Sequence, residues 1–82
     1  MMKIHVKLFA RARELAGSGQ LQLEFPEHAC VRDAKVRLSH DFPALQPLMK
    51  SLLIAINGDY AADSMPLVDG CELAAFPPVS GG

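Results

Sequence analysis

The chemistry that this sequence offers lies in its closing run, Pro77-Pro78-Val79-Ser80-Gly81-Gly82. A carboxylate on Gly82 is ionised at neutral pH and is a poor electrophile, so a nucleophile attacks it only after activation, for example by adenylation. Gly81 and Gly82 have no side chains, and such an end can enter a channel too narrow for a Cβ atom. The two prolines favour a stiff, extended approach to that end. A frayed terminus fits these residues as well, and the residues alone leave both interpretations open.

The sequence lacks the patterns that metal sites and common catalytic groups require. His5, His28 and His40 are widely separated, and we expect all three at the surface. Cys30 and Cys71 form no Cys-x-x-Cys pair, so reduced structural thiols are the expected state. We find no Ser/His/Asp arrangement, no phosphate-binding glycine loop and no paired acid motif. The residues therefore predict no metal site and no catalytic side chains.

Length and composition limit the class of protein. The chain has 82 residues, of which 50% are hydrophobic, and this suits one domain with a modest core. Its formal net charge is −1 and its basic residues are scattered, which argues against a nucleic-acid partner. No run approaches the ~20 apolar residues of a membrane span, and the first residues lack a signal-peptide core. We expect a cytoplasmic protein that binds neither nucleic acid nor membranes.

Periodic patterns predict an α+β fold with a mixed sheet of about five strands packed on one main helix. Cys30 is a poor N-cap, so a weak start is expected for the main helix. The run after residue 51 is nearly all apolar and is typical of a central strand covered on both faces. The predicted strands span 3–9, 20–25, 52–56, 59–62 and 71–76, and the predicted helical segments span 10–16, 30–40 and 44–48.

Three groups of residues carry a resemblance to a known family. They are an opening, a middle and a closing group, which read Leu8-Phe9-Ala10 with Arg13-Glu14-Leu15 and Gly17, Ala55-Ile56-Asn57 with Pro66-Leu67-x-Asp69-Gly70, and Phe76-Pro77-Pro78-Val79-Ser80-Gly81-Gly82. In this order, and over almost the whole chain, they resemble the small subunit of molybdopterin synthase, a ubiquitin-like sulfur carrier. The closing group is the specific part. The resemblance implies a β-grasp domain over 1–76 and an extended tail over 77–82.

The resemblance also implies a function. In that family an ATP-dependent enzyme similar to ubiquitin-activating enzymes adenylates the terminal glycine, and a sulfurtransferase system converts it to a thiocarboxylate. The large subunit of the synthase then receives the tail, and the sulfur passes to a cyclic pyranopterin monophosphate precursor during molybdenum cofactor biosynthesis. The small subunit is no enzyme on its own. It is the sulfur-donating half of a two-subunit sulfurtransferase, expected as a heterotetramer of two small and two large subunits.

Residue roles follow from the same resemblance. Gly82 would be the reactive residue, and the chain itself would bind no cofactor because the activating partner uses the ATP. The residues that would thread into the large subunit are Pro77, Pro78, Val79, Ser80 and Gly81.

Strand parity predicts an apolar patch near the start of the tail. Phe9, Leu53 and Phe76 fall on the outward face of the sheet, together with Ala55 and Ala74, and exposed patches of this kind usually mark partner sites. The family resemblance adds Arg13 and Tyr60 to these partner contacts. The alternatives are that the phenylalanines only cover the sheet edge and that Arg13 is a solvated surface residue.

Two rival functions remain open at this stage. The first is a sulfur carrier for thiamin synthesis or tRNA thiolation, which shares the fold and the Gly-Gly end; the Pro-Pro-Val-Ser run favours the molybdopterin member. The second is a β-grasp interaction module without an activated tail.

Overall fold

A computed structural model describes residues 1–78 as a sheet with two helices and one 3-10 helix. Val79, Ser80, Gly81 and Gly82 lie outside the described residues, so what the sequence predicts for them stays a prediction. The elements in chain order are β1 Met2–Leu8, α1 Ala10–Ala16, β2 Gln20–Phe25, α2 Val31–Asp41, the 3-10 helix Pro43–Leu48, β3 Leu53–Ile56, β4 Asp59–Tyr60 and β5 Glu72–Phe76.

The five strands form one mixed sheet in the order β2-β1-β5-β3-β4. β1 and β5 run parallel in its middle, with Val6 opposite Leu73 and Leu8 opposite Ala75. The other neighbouring pairs are antiparallel. The buried residues of α2 belong to the same core as the inward residues of the strands. The structure thus confirms the predicted α+β, β-grasp fold.

The core lies between the inward face of the sheet and α2. Ile4, Val6 and Leu8 alternate with more exposed residues along β1 and are at most 1% exposed. They face a helical stripe whose members are all fully buried, namely Val31, Ala34 and Leu38. Truncating one such leucine to alanine costs about 2–5 kcal/mol of stability. Within residues 1–78, no helix has the length and apolarity needed to cross a membrane.

Most elements agree with their predicted bounds to within two residues. β4 is shorter than predicted and ends at Tyr60. Phe9, predicted as the last residue of the first strand, is instead the N-cap of α1, and its carbonyl accepts the N–H of Ala12 at 3.1 Å. Ala10 then adopts a φ of 53°, a left-handed conformation that costs a non-glycine residue about 1–2 kcal/mol. This turn directs the chain out of the sheet and into α1.

The prediction that the β3 strand is covered on both faces is wrong at Leu53. Leu53 is 38% exposed, whereas its neighbour Ile54 is 3% exposed. The reason is that α2 packs against only one face of the sheet, and the other face carries no helix. Sequence patterns of this short apolar run do not distinguish a strand covered on one face from one covered on both.

The start of α2 carries a capping box formed by Cys30 and Asp33. Cys30 is the N-cap, as predicted, and its N–H donates to the Asp33 carboxylate at 2.8 Å. The amides of Val31 and Arg32 donate at 2.9 Å to carbonyls of the loop 61–66. These three bonds satisfy amides that a helix start leaves unpaired, and the last two join α2 to a distant loop.

Three carboxylates on or beside α2 are stabilised in their charged form. The hydrogen bond that the Asp33 carboxylate accepts from the backbone N–H of Cys30 lowers the pKa of Asp33. A hydrogen bond from Arg37 lowers the pKa of Asp41. The Lys35 ammonium, 2.8 Å from Asp63, lowers the pKa of the Asp63 carboxyl. A carboxyl whose pKa is lower in the folded than in the unfolded chain stabilises the fold at pH values above its unfolded pKa. This stabilisation is lost as the pH falls through the folded pKa.

We therefore expect the Tm to change little between about pH 7 and pH 5 and to fall below about pH 4. Asp63→Asn should lower the Tm near neutral pH and make less difference at about pH 2, where the wild-type carboxylate is protonated as well. Circular dichroism melts of both proteins measure this. Asp59→Asn is the matched control, since that residue makes none of these contacts. An Asp63→Asn effect of the same size at both pH values would contradict the ion-pair explanation.

Candidate functional site

The described chain leaves the sheet at Phe76, the last residue of β5. Pro77 is half-buried and Pro78 is exposed. The carbonyl of Ala75 accepts the N–H of Phe9 at 3.1 Å, so the end of β1 and the start of α1 lie beside the point where the tail begins. The central position of β5 therefore places the start of the tail, at Pro77, between the ends of two neighbouring strands, β1 and β3.

Three aromatic rings cluster at this point. The Phe9 and Phe76 rings meet edge to face with centroids 6.4 Å apart, and the Tyr60 ring lies 5.9 Å from Phe76 on its other side. Leu53 is the cross-strand neighbour of Phe76. Phe9, Leu53 and Tyr60 are 47%, 38% and 75% exposed. The structure thus brings together four of the five predicted interface residues, and we call Phe9, Leu53, Tyr60 and Phe76 the exit patch.

The two alanines predicted beside the phenylalanines form the next row of the sheet. Ala55 pairs with Ala74 on one side and with Tyr60 on the other. Ala74 is half-buried, but Ala55 is only 8% exposed, so the prediction that it contributes exposed surface is wrong. Strand parity gives the face on which a residue lies and not the extent to which its neighbours cover it.

Charged residues border the exit patch on the β1 side. Lys7 lies next to Ala74 in the sheet, and its ammonium is 2.7 Å from the Glu72 carboxylate. Arg13, the fifth predicted interface residue, is exposed on α1. Within residues 1–78, no carboxylate lies in ion-pair range of Arg13. The patch is therefore apolar with a cationic edge.

The position of Tyr60 depends on a tight turn. Asn57 and Gly58 have φ values of 49° and 90°, which suits a two-residue hairpin turn between β3 and β4. The side-chain oxygen of Asn57 accepts the N–H of Glu72 at 2.9 Å, and the backbone N–H of Asn57 donates to the Glu72 carbonyl at 2.8 Å. Asn57 thereby ties the turn that carries Tyr60 to β5.

Asp69 has a corresponding role at the other end of β5. Its carboxylate accepts the N–H of Lys3 at 2.7 Å, and the N–H of Gly70, at a φ of 82°, donates to the Lys3 carbonyl at 2.7 Å. These contacts connect the turn before β5 to β1. Asn57, Asp69 and Gly70 of the middle group thus stabilise the position of β5 in the sheet. Their spacing in the sequence does not reveal this role.

The described residues supply surface rather than catalytic groups. Among residues 1–78, no three His, Cys, Asp or Glu side chains are grouped as a metal site would need. A groove of about 550 Å³ lies between β2 and α2, near Met1, Phe25 and Val36. It is at the opposite end of β1 from the exit patch, so it does not belong to this site. The predicted reactive residue Gly82 and the threading residues Val79, Ser80 and Gly81 lie outside the described residues.

This combination of a β-grasp sheet and an apolar patch at the start of the tail defines a ubiquitin-like protein. A family model described as "ThiS family" matches residues 6–82. The chain belongs to the ThiS family.

Individual relatives agree with this membership. The "Molybdopterin synthase sulfur carrier subunit" of Arabidopsis thaliana is 38% identical over 81 residues, which are 99% of this chain and 84% of the relative. The crystal structure of Haloferax volcanii small archaeal modifier protein 1 has a TM-score of 0.87 at 33% identity and covers 96% of this chain and 100% of its own. A complex of subunits 1 and 2 of Molybdopterin-converting factor from Helicobacter pylori contains a chain with a TM-score of 0.73. That match covers 99% of this chain and 100% of that chain at 21% identity, and at this identity it shows a shared fold alone.

The exit patch makes a prediction that needs no partner. Tyr60 is the only tyrosine of the chain, so 3-fluorotyrosine labelling gives one ¹⁹F resonance. Replacing Phe76 by Leu removes the ring that packs against Tyr60, and we expect the resonance to shift. Val68→Ala, at an exposed apolar residue outside the patch, should leave it in place. An unchanged resonance in Phe76→Leu would contradict the aromatic cluster.

Proposed function

We propose that this chain is the sulfur-carrier small subunit of molybdopterin synthase. The observation that carries the proposal is the 38% identity, over 99% of this chain, with a relative named as that subunit. The β-grasp fold and the apolar surface beside the tail support it, because a carrier has to present its reactive end to other proteins. The proposal assigns no catalytic side chain to residues 1–78, and on its own the chain is not an enzyme.

The proposed reaction begins at the carboxylate of Gly82. A carboxylate oxygen attacks the α-phosphorus of ATP on an adenylating enzyme, and pyrophosphate leaves. A sulfur nucleophile supplied by a sulfurtransferase then attacks the acyl carbon of the adenylate and displaces AMP. When the nucleophile is the terminal sulfur of an enzyme persulfide, the product is an acyl disulfide, and a second thiol of the sulfurtransferase system attacks its S–S bond, releasing the thiocarboxylate and leaving a disulfide on that system. The thiocarboxylate sulfur then goes to the cyclic pyranopterin monophosphate precursor. The chain binds no cofactor in this scheme, since ATP belongs to the activating partner.

The exit patch would be the docking surface for the large subunit. Its aromatic residues are of the type that carries most of the binding energy in protein interfaces. Docking there would deliver residues 77–82 into the large subunit and shield the thiocarboxylate from water. Arg13 would contact a carboxylate of the partner at the rim. The proposal includes a heterotetramer of two small and two large subunits.

We also propose a cytoplasmic location for this carrier. The reaction needs ATP, and both cysteines of the described chain are free thiols, as is usual in a reducing compartment.

Intact mass spectrometry tests the reaction. Incubation with ATP, the cognate activating enzyme and a sulfur source should add about 16 Da as the carboxylate becomes a thiocarboxylate. Deletion of Gly82 should abolish the gain, and so should omission of ATP. No gain under conditions that load a known carrier with its own enzyme would count heavily against the proposal.

Binding measurements test the docking surface. Phe76→Asp places a charge at the centre of the exit patch and should weaken binding to the large subunit from the same organism by about 30-fold or more. The variant should still fold, because Phe76 lies on the outer face of the sheet, although its Tm should fall as the contacts with Phe9 and Tyr60 are lost. Val68→Asp is the matched control: Val68 is 61% exposed and lies near the opposite end of β5. Equal affinity of the two variants would overturn the assignment of the patch.

A second candidate function is protein modification. The likeness to small archaeal modifier protein 1 favours it. In that case an amine of a target protein, instead of sulfur, would attack the acyl adenylate and displace AMP. The same mass experiment separates the two, since modification gives covalent conjugates with a target and not a gain of about 16 Da. The rival carriers for thiamin synthesis and tRNA thiolation are separated by which partner protein binds.

A further inference from the structure

The side chain of Arg13 lies directly over Gly19. A Cβ atom at Gly19 would be 3.0 Å from the Arg13 Nε and 3.3 Å from its Cδ and Cζ, and these are the three nearest atoms it would meet. Ordinary carbon contacts are about 3.5–4.0 Å. The Arg13 side chain therefore lies closer to Gly19 than it could lie to a residue with a Cβ atom, which would displace it by a few tenths of an ångström or more.

Backbone conformation does not explain this glycine. Gly17, Gly58 and Gly70 have φ values of 76°, 90° and 82°, and a Cβ atom at any of them would meet nothing within 4 Å. Those three positions need glycine for their left-handed backbone. Gly19 is the reverse case: its φ lies outside the left-handed region, and its space is filled by a neighbour.

The position of Arg13 matters because it lies beside the exit patch. A cleft beside the exit patch is lined by Lys7, Leu8, Phe9, Arg13, Gly19 and Gln20. Two other cations nearby are already paired, Lys7 with Glu72 at 2.7 Å and Arg11 with Glu14 at 3.1 Å. Arg13 has no such carboxylate among residues 1–78. It is the cation at this edge of the patch that remains available to a partner.

A long arginine side chain normally samples many rotamers, and ordering it opposes binding. Gly19 lets the Arg13 side chain lie across the turn between α1 and β2, next to Phe9, before any partner arrives. A planar guanidinium with fewer accessible orientations suits a carboxylate, which can accept two of its N–H groups at once.

We propose that Gly19 is a positioning residue for Arg13, and that this pair sets the affinity of the exit patch for an acidic group on the partner. The inference rests on the proposed function, in which the patch and Arg13 meet the large subunit. Gly19 itself makes no partner contact in this scheme.

A double-mutant cycle tests the proposal. The affinity and association rate for the large subunit from the same organism are measured at low and physiological salt for Gly19→Ala, Gly19→Val, Arg13→Ala and the double variant Arg13→Ala/Gly19→Val. Arg13→Ala should weaken binding about two- to fivefold and reduce its salt dependence. Gly19→Val should approach that loss, and Gly19→Ala should lie between Gly19→Val and the wild type.

The double variant separates positioning from a structural effect. Once Arg13 is gone, Gly19→Val should cause no additional loss. Melting curves of the Gly19 variants should be unchanged or slightly raised, because replacing an unstrained glycine reduces the entropy of the unfolded chain. Arg11→Ala, on the same helix but already paired with Glu14, is the matched control and should bind like the wild type.

Two results would overturn the inference directly: wild-type affinity in Gly19→Val, or an equal loss from Gly19→Val with and without Arg13. Wild-type affinity in Arg13→Ala would overturn it too, since Gly19 would then position nothing that the partner uses. In that case a large loss in Phe76→Asp keeps the docking surface and the proposed function in place. If Phe76→Asp also binds the large subunit with wild-type affinity, the proposed docking surface is rejected.

Discussion

The structure depends most on the parallel pairing of β1 with β5 in the middle of the sheet. These strands lie at the two ends of the described chain, and their pairing closes the core over α2. It also sets the geometry of the site, because parallel strands end at the same edge. Phe9, just after β1, therefore meets Phe76 at the end of β5. Stability and presentation of the tail thus come from one set of hydrogen bonds.

The polar residues around β5 serve this pairing. Asp69 links the turn before β5 to Lys3, and Asn57 links the β3–β4 turn to Glu72. Both side chains accept a hydrogen bond from a backbone N–H near the end of a strand, which would otherwise lack a partner. An unpaired backbone N–H is costly when it is shielded from water. Residues that look like part of a functional motif in the sequence thus hold in place the strands that present the patch.

The fold was largely predictable, because local patterns and a family resemblance agreed. Alternation in β1, β2 and β5 and the helical stripe of α2 predict the elements and their bounds, and the resemblance supplies the β-grasp class. What could not be predicted depends on contacts between distant residues. The sequence does not show that loop 61–66 satisfies the first amides of α2, that Ala55 is covered, or that Arg13 lies over Gly19. Nor does the sequence indicate the left-handed conformation of Ala10, since alanine favours a right-handed helix.

The central position of β5 has a mechanical consequence. A partner that grips the tail and pulls applies force along β5, nearly perpendicular to the hydrogen bonds that join it to β1 and β3. Such a load is shared by both ladders, and the bonds have to break together rather than one after another. An edge strand such as β4 would instead be held by a single ladder. Under the proposed function, the domain would therefore stay folded while a partner draws the tail in and releases it.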